Sequence, residues 1–271
     1  MGECSRGQMV KDGSMRVVLI GAGRLATQLG MALRSVGHEI TAVWSRTMES
    51  AEVLASQIGG MPTNDLSELP AEADAFIVSV KDSALTTVVA EAVKGRSGQL
   101  FMHTAGSMPL TLFSGFATRY GVFYPMQSFS KERRVDFAEI PVFIEAGDAD
   151  SLATIRRLAA SVSRRVSELS TADRKYLHLA AVFACNFTNH CYDLAAQLLE
   201  RSGLSFDVML PLVDETARKV HELSPHQAQT GPAVRYDENV INMQRNLLAD
   251  CPDLQKVYDL MSRSIHNSQL K

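Results

Sequence analysis

The sequence carries no excess of basic charge: 27 lysines and arginines stand against 30 aspartates and glutamates, a formal net charge of −3 over 271 residues. That balance argues against nucleic acid or an acidic membrane surface as a main partner. Cysteine is sparse as well. The residues at 4, 185, 191 and 251 make no CxxC pair and no dense framework, which fits a reducing, cytoplasmic setting. No apolar run approaches the roughly 18–20 residues that a membrane-spanning helix needs. The opening MGECSRGQMVKDGS lacks the apolar centre of a signal peptide, so residues 1–14 are expected to form a flexible leader. Internal repeats, low-complexity tracts, a GxSxG elbow and a Walker lysine are all missing. His178, His190 and Cys191 have neither HxxxH nor CxxC spacing and no third ligand in sequence reach, so no metal site is expected.

What is present is an alternation of short β-branched runs with amphipathic segments. RVVLI (16–20) reads as a buried strand, and the next stretch, 25–36, has helical periodicity that Gly37 ends. EITAVWS (39–45) is the following strand and 48–59 the following helix. Further strand runs are AFIVSV (75–80), QLFMH (99–103), GVFYP (121–125), PVFIEA (141–146) and, after an amphipathic stretch at 150–162, RRVSEL (164–169). Such runs, bounded by turns and separated by helices, predict an α/β fold with a Rossmann-type, mostly parallel sheet over residues 15–169. Beyond Leu169 the strand signals stop. One long helix, capped by Ser170 or Thr171 and ended by Gly203, precedes helical patterns at 206–222, 236–249 and 253–266. Residues 170–271 are therefore expected to form an all-helical second domain.

Gly21-Ala22-Gly23-Arg24-Leu25-Ala26 is a GxGxxA turn between a strand and a helix. The first glycine permits the tight turn, the second lets a pyrophosphate approach the backbone, and Ala26 allows the helix to pack closely on the strand. The helix N-terminus adds unpaired N–H groups and partial positive charge, so dinucleotide binding is the expectation. An NAD site places an acid at the end of the second strand to accept from the ribose 2′-hydroxyl. Here the chain reads Ser45-Arg46-Thr47: a guanidinium that can pair with a 2′-phosphate between two hydroxyls that can donate to it. Arg24 adds a second cation, and NADP(H) is expected over NAD(H). The competing reading makes Arg46 an ordinary solvated side chain. Val80 and Lys81, after the 75–80 strand, would line the middle of the cofactor.

With this turn, Ser-Arg-Thr and a helical second half, the chain resembles the two-domain dehydrogenases and reductases with a 6-phosphogluconate-dehydrogenase-like C-terminal domain. Pyrroline-5-carboxylate reductase, prephenate dehydrogenase and the F420-dependent NADP reductases belong to that superfamily. It is most similar to a Rossmann-like branch carrying a C-terminal domain of unknown function, through HTAGSMPL (103–110), YPMQSFSK (124–131), LHLAAVFACNFTNH (177–190) and TGPAVRYD (230–237). The resemblance implies an NADP-dependent oxidoreductase with a substrate site between its domains and a homodimer formed through the helical domain. The branch tends to have His-Pro where this chain has Tyr124-Pro125, which puts a proton-transfer role carried over to that position in doubt.

Ligands of open α/β sheets bind outside the carboxyl ends of the strands, which picks out the turns Ser79-Val80-Lys81-Asp82, His103-Thr104-Ala105-Gly106-Ser107 and Tyr124-Pro125-Met126-Gln127-Ser128, and among them His103. Two roles fit it: acid–base work, for which imidazole is suited, or a histidine fixed by local hydrogen bonds that holds the turn. On the long helix Lys175, His178, Val182, Asn186, Asn189 and Asp193 recur at three- and four-residue steps and are expected on one face. His178 is the candidate proton donor there and Asn186 the candidate orienting group. The resembling superfamily uses this helix for substrate-binding Lys or Asn residues. In TGPAVRYD, Arg235 either addresses an anion or pairs with Asp237 at the surface. Two functions follow: an NADP(H)-dependent oxidoreductase acting on a small carbonyl, imine or hydroxy acid, or an NADP-binding regulatory or scaffold protein without turnover. A deazaflavin partner has no support of its own in the sequence.

Overall fold

A computed structural model describes residues 13–270; the expected leader lies, up to residue 12, outside the described residues. The chain divides into two compact units, one reaching to Cys185 and the other starting at Asn186. The strands of the first unit are β1 (Arg16–Ile20), β2 (Glu39–Trp44), β3 (Met61–Thr63), β4 (Ala75–Val78), β5 (Leu100–His103), β6 (Arg119–Pro125), β7 (Val142–Ala146) and β8 (Val166–Glu168). They form one sheet in the order 3-2-1-4-5-6-7-8, whose first six positions are the dinucleotide-binding arrangement.

The helices of this unit are α1 (Arg24–Ser35), α2 (Met48–Ile58), α3 (Asp82–Ala92), α4 (Ala149–Val162) and α5 (Thr171–Ala181). Val17 to Ile20 are fully buried because both faces of β1 are covered. Val17 and Leu19 belong to the core cluster that α1, α2 and α4 also enter, whereas Val18 and Ile20 belong to the one that holds residues of α3 and the phenyl rings of Phe76, Phe101 and Phe113. This is the alternation of a two-residue period, and each such side chain contributes about 1.5–3 kcal/mol by leaving water. Gly30 sits where a Cβ would lie 2.6 Å from the Ile58 Cδ1 and 2.9 Å from the Leu19 Cδ1, so α1 is drawn tightly onto the sheet.

Two features of the sheet were not legible in the pattern. β3 is three residues, Met-Pro-Thr, too short to show a period. β7 runs antiparallel to β6 because 126–141 between them holds only the 3-10 turn Phe137–Glu139, and a parallel return needs a crossover element.

α5 continues through a π segment, Val182–Phe187, into α6 (Thr188–Glu200). The single polar face expected from Lys175 to Asp193 requires an unbroken 3.6-residue period. The wide turn interrupts that period, so positions beyond Val182 are out of phase with those before it. The second unit continues with α7 (Leu210–Glu222), α8 (Pro225–Ala228), α9 (Pro232–Arg235), α10 (Glu238–Asn246) and α11 (Pro252–Gln269). No ion pair joins Arg235 to Asp237 among the described residues; the Asp237 carboxylate instead accepts from the Val240 N–H and caps α10.

Candidate active site

The glycine turn takes the shape its residues allow. Gly21 has φ +128°, its N–H donates to the Trp44 carbonyl at 2.8 Å, and a Cβ there would run into the Ser79 carbonyl. Gly23, by contrast, has φ −79° and open space around the position of a Cβ, which is the room a pyrophosphate needs to reach the backbone. It stands at the N-cap of α1 with no side-chain cap, and no acid lies in the first helical turn. Ala22 and Leu25 are half-buried beside the turn and Ala26 is fully buried beneath it. Arg24 and Arg46 are exposed, and neither has an ion-pair partner among the described residues. Ser45 is held by its N–H to the Thr63 carbonyl at 3.1 Å, and Thr47 stands at the N-cap of α2. Val80 is half-buried and Lys81 exposed at the start of α3. The chemistry of this donor set suits a dinucleotide carrying a 2′-phosphate: free backbone N–H groups, unpaired guanidiniums and a Cβ-free approach.

A second cluster forms where β5 and β6 end and α5 begins. The Tyr124 hydroxyl lies 3.1 Å from His178 Nδ1, with the rings edge to face at 6.1 Å. Gly106 is fitted to the same imidazole, since a Cβ there would lie 2.6 Å from Nδ1. Tyr124 is buried and His178 half-buried. Burial pushes the Tyr124 phenol above its usual value near 10, and the Arg174 guanidinium draws it back. Behind the pair, Arg174 Nη1 meets Glu145 Oε2 at 2.5 Å and Nη2 donates to the Met108 carbonyl at 2.6 Å. Thr171 is bound to the same carboxylate by its N–H at 2.9 Å and its hydroxyl at 2.7 Å. In the middle of the 104–110 loop, next to Met108, the Ser107 hydroxyl donates to Asp82 at the head of α3.

His103 is brought close to this cluster but is fully buried. Its Nδ1 accepts from the Ala105 N–H at 3.2 Å, and its ring stacks on Phe113. Nε2, which carries the proton in the neutral ring, has no partner of hydrogen-bonding geometry among the described residues. Burial and, secondarily, Arg174 lower its pKa to about 4, against smaller opposing effects of the Pro109 carbonyl, Asp82 and Glu145. A pKa below the unfolded value near 6.5 means that the unfolded chain binds the proton more tightly. The stability gained from a neutral ring is thus present above pH 6.5 and is lost as pH falls toward 4, by about 3 kcal/mol in full. The His103→Asn variant keeps an acceptor for Ala105. Its urea midpoint is expected to fall less than that of the wild type between pH 7 and 4.5; equal acid losses would contradict this.

Asn186 is exposed within the π segment and belongs to the second unit; it takes no part in the Tyr124–His178 contact. Among the described residues no group of three or more His, Cys, Asp or Glu could hold a metal ion, and no helix is long and apolar enough to cross a membrane. Sequence reasoning picked out the turn that holds Gly106 but did not find Glu145 or Arg174. The available signals were the Arg174–His178 spacing of four and a charged residue inside the otherwise apolar PVFIEA strand.

Residues 1–124 match the Rossmann-like domain family and 140–265 match a domain of unknown function, DUF2520. No curated protein matches the chain. Among solved structures, BF3122 of Bacteroides fragilis, a provisionally assigned NADP oxidoreductase, is 54% identical, with a TM-score of 0.90 over 94% of this chain and 99% of its own. The chain belongs to the BF3122 family. TM1727 of Thermotoga maritima has a TM-score of 0.78 at 21% identity, covering 94% of this chain and 100% of its own. An imine reductase of Myxococcus stipitatus in complex with NADP+ has 0.67 at 18%, covering 93% of each chain; these two show the fold alone. In this member of the BF3122 family, the Tyr124–His178 contact joins the last residue of the Rossmann-like match to the DUF2520 segment.

Proposed function

We propose that the protein is an NADP(H)-dependent oxidoreductase for a small carbonyl, imine or hydroxy-acid substrate, with His178 exchanging the proton and Tyr124 orienting its ring. The hydrogen bond between these two side chains, at the carboxyl end of β6, carries the reading. NADP(H) held by Gly21–Leu25, Ser45–Thr47 and Val80–Lys81 would supply or accept the hydride. The family relationship to BF3122 supports the cofactor, as do two unpaired arginines beside a turn that leaves room at Gly23.

In the neutral tautomer that carries its proton on Nε2, the Tyr124 hydroxyl donates to Nδ1; in the other, Nδ1–H donates to the phenolic oxygen. With the imidazole protonated, Nδ1–H donates to the phenolic oxygen and Nε2–H is the proton that a substrate oxygen or nitrogen accepts, which leaves a neutral ring with its proton on Nδ1, still donating to Tyr124. Burial keeps Tyr124 in its phenol form, so it orients the ring rather than acting as a base. His103, buried and neutral, holds the 104–110 loop instead of meeting a substrate. The wild-type protein should oxidise NADPH in the presence of small cyclic imines or α-keto acids, and failure across a broad panel of both would count against turnover.

If Arg46 reads the 2′-phosphate, Arg46→Ala should weaken NADPH by roughly 10- to 100-fold, the worth of a charge-assisted contact of about 1.5–3 kcal/mol. NADH should change by less than threefold. Equal losses measured by fluorescence titration would remove the assignment.

The working form is a homodimer joined through the helical unit. α6 and α7 bury no residue within the chain, while Leu212, Leu247 and Leu260 stand 61%, 71% and 64% exposed. Helices of this kind need an apolar partner surface, and a second copy supplies a self-complementary one. Light scattering should give twice the chain mass, and Leu212→Arg should lower it toward one; a monomeric wild type would contradict the dimer.

A further inference from the structure

The Tyr124–His178 contact depends on two elements meeting in the correct register, and a second contact one step away fixes that register. Glu145 on β7 lies opposite Val122 on β6. Cross-strand partners share a face, and Tyr124 is two residues beyond Val122 on that same face. On α5, Arg174 and His178 are four residues apart and also share a face. Four helical residues rise about 6 Å and two strand residues about 6.6 Å. Two helix positions can therefore meet two strand positions at once: Arg174 with Glu145, and His178 with Tyr124. Both helix residues also touch the 104–110 loop, Arg174 through the Met108 carbonyl and His178 through Gly106.

We propose that Arg174, pinned by Glu145, is a positioning residue that sets the register of α5 on the sheet and so holds His178 Nδ1 on the Tyr124 hydroxyl. The inference deepens the proton-exchange reading and rests on it. Arg174 is suited to the task because it is 1% exposed and spans three segments. It grips the β7 carboxylate, the Met108 carbonyl and, at 3.2 Å, the Thr171 hydroxyl. Thr171 in turn accepts from the Leu110 N–H at 3.0 Å, so the helix start, the strand and the loop move as one. A planar guanidinium reaches several acceptors in fixed geometry, which an ammonium cannot copy. Arg174 acts directly on Tyr124, opposing the effect of burial, and together with Asp82 and Glu145 it also acts on the neighbouring His103.

The test is ¹⁵N NMR of histidine-labelled full-length protein, reading the His178 Nδ1 shift that marks an acceptor held by a hydroxyl. Tyr124→Phe serves as the reference for a lost bond. Arg174→Met and Arg174→Lys, each checked for native circular dichroism, are expected to move that signal toward the Tyr124→Phe value, Arg174→Lys by the smaller amount. In turnover, both should lower kcat by about 10-fold or more and leave the NADPH Kd within twofold. A folded Arg174→Lys with the wild-type shift and kcat would overturn the proposal, whether or not Arg174→Met folds. If Tyr124→Phe itself leaves the shift unchanged, the hydrogen bond, and with it the proton-exchange reading, is what fails.

Discussion

Replacing His178 by phenylalanine is expected to lower turnover by roughly 100- to 10,000-fold, the usual contribution of a placed general acid, while NADPH binds as before. The ring of the replacement keeps the edge-to-face contact with Tyr124, so the loss reports the nitrogen atoms rather than the packing. Tyr124→Phe should cost less, because it removes the orienting hydroxyl and leaves the imidazole. The two effects should not add, since each variant breaks the same 3.1 Å bond. The check is kcat and cofactor Kd for both single variants and the double variant. Full activity in His178→Phe would mean that the proton comes from elsewhere.

The second large effect concerns the turn. Gly21→Ala should destabilise the first unit by about 3 kcal/mol or more, because it combines a disfavoured backbone region with a direct collision. The φ of +128° is one that L side chains rarely adopt, and the added methyl runs into the Ser79 carbonyl. Ser79 cannot retreat easily: its own N–H donates to the Ile20 carbonyl at 2.8 Å and continues the β1–β4 pairing. Gly23→Ala is the instructive contrast. Its φ is ordinary and nothing lies within 4 Å of its Cβ position, so stability should hold while NADPH binding weakens. Urea unfolding and NADPH titration of the two variants separate these outcomes, and equal stability for both would contradict the structural account.

The parts of this arrangement that were legible in the sequence are local. A tight turn, its open neighbour and Arg46 lie within one strand–turn–helix unit and its successor, where spacing alone determines geometry. His178 was legible as a polar residue on an apolar helix. Its partner was harder to see, because Tyr124 is 54 residues away and a tyrosine reads as a poor base until its contact with an imidazole is known. Arg174 and Glu145 were less visible still. Their pairing follows from β7 returning antiparallel to β6, which the apolar pattern of PVFIEA does not encode. The π segment escaped for a different reason: no single residue type marks the insertion of a wide turn, so the spacing of Asn186, Asn189 and Asp193 was read with the wrong period.

His103 shows how burial decides between two roles. The same residue at the same strand end serves acid–base chemistry if it reaches a substrate, or the loop if it does not. Full burial, a filled Nδ1 and a pKa near 4 leave it neutral at physiological pH, while the half-buried His178 is the imidazole left at the edge of the cluster.

The most direct test of the central claim is an equilibrium titration of the purified protein with NADPH and with NADH, followed by cofactor fluorescence. The account predicts saturable NADPH binding at least about 10-fold tighter than NADH, as one charge-assisted 2′-phosphate contact supplies. Binding of neither would make the Gly21–Arg24 turn purely architectural and leave the Tyr124–His178 pair without a redox partner.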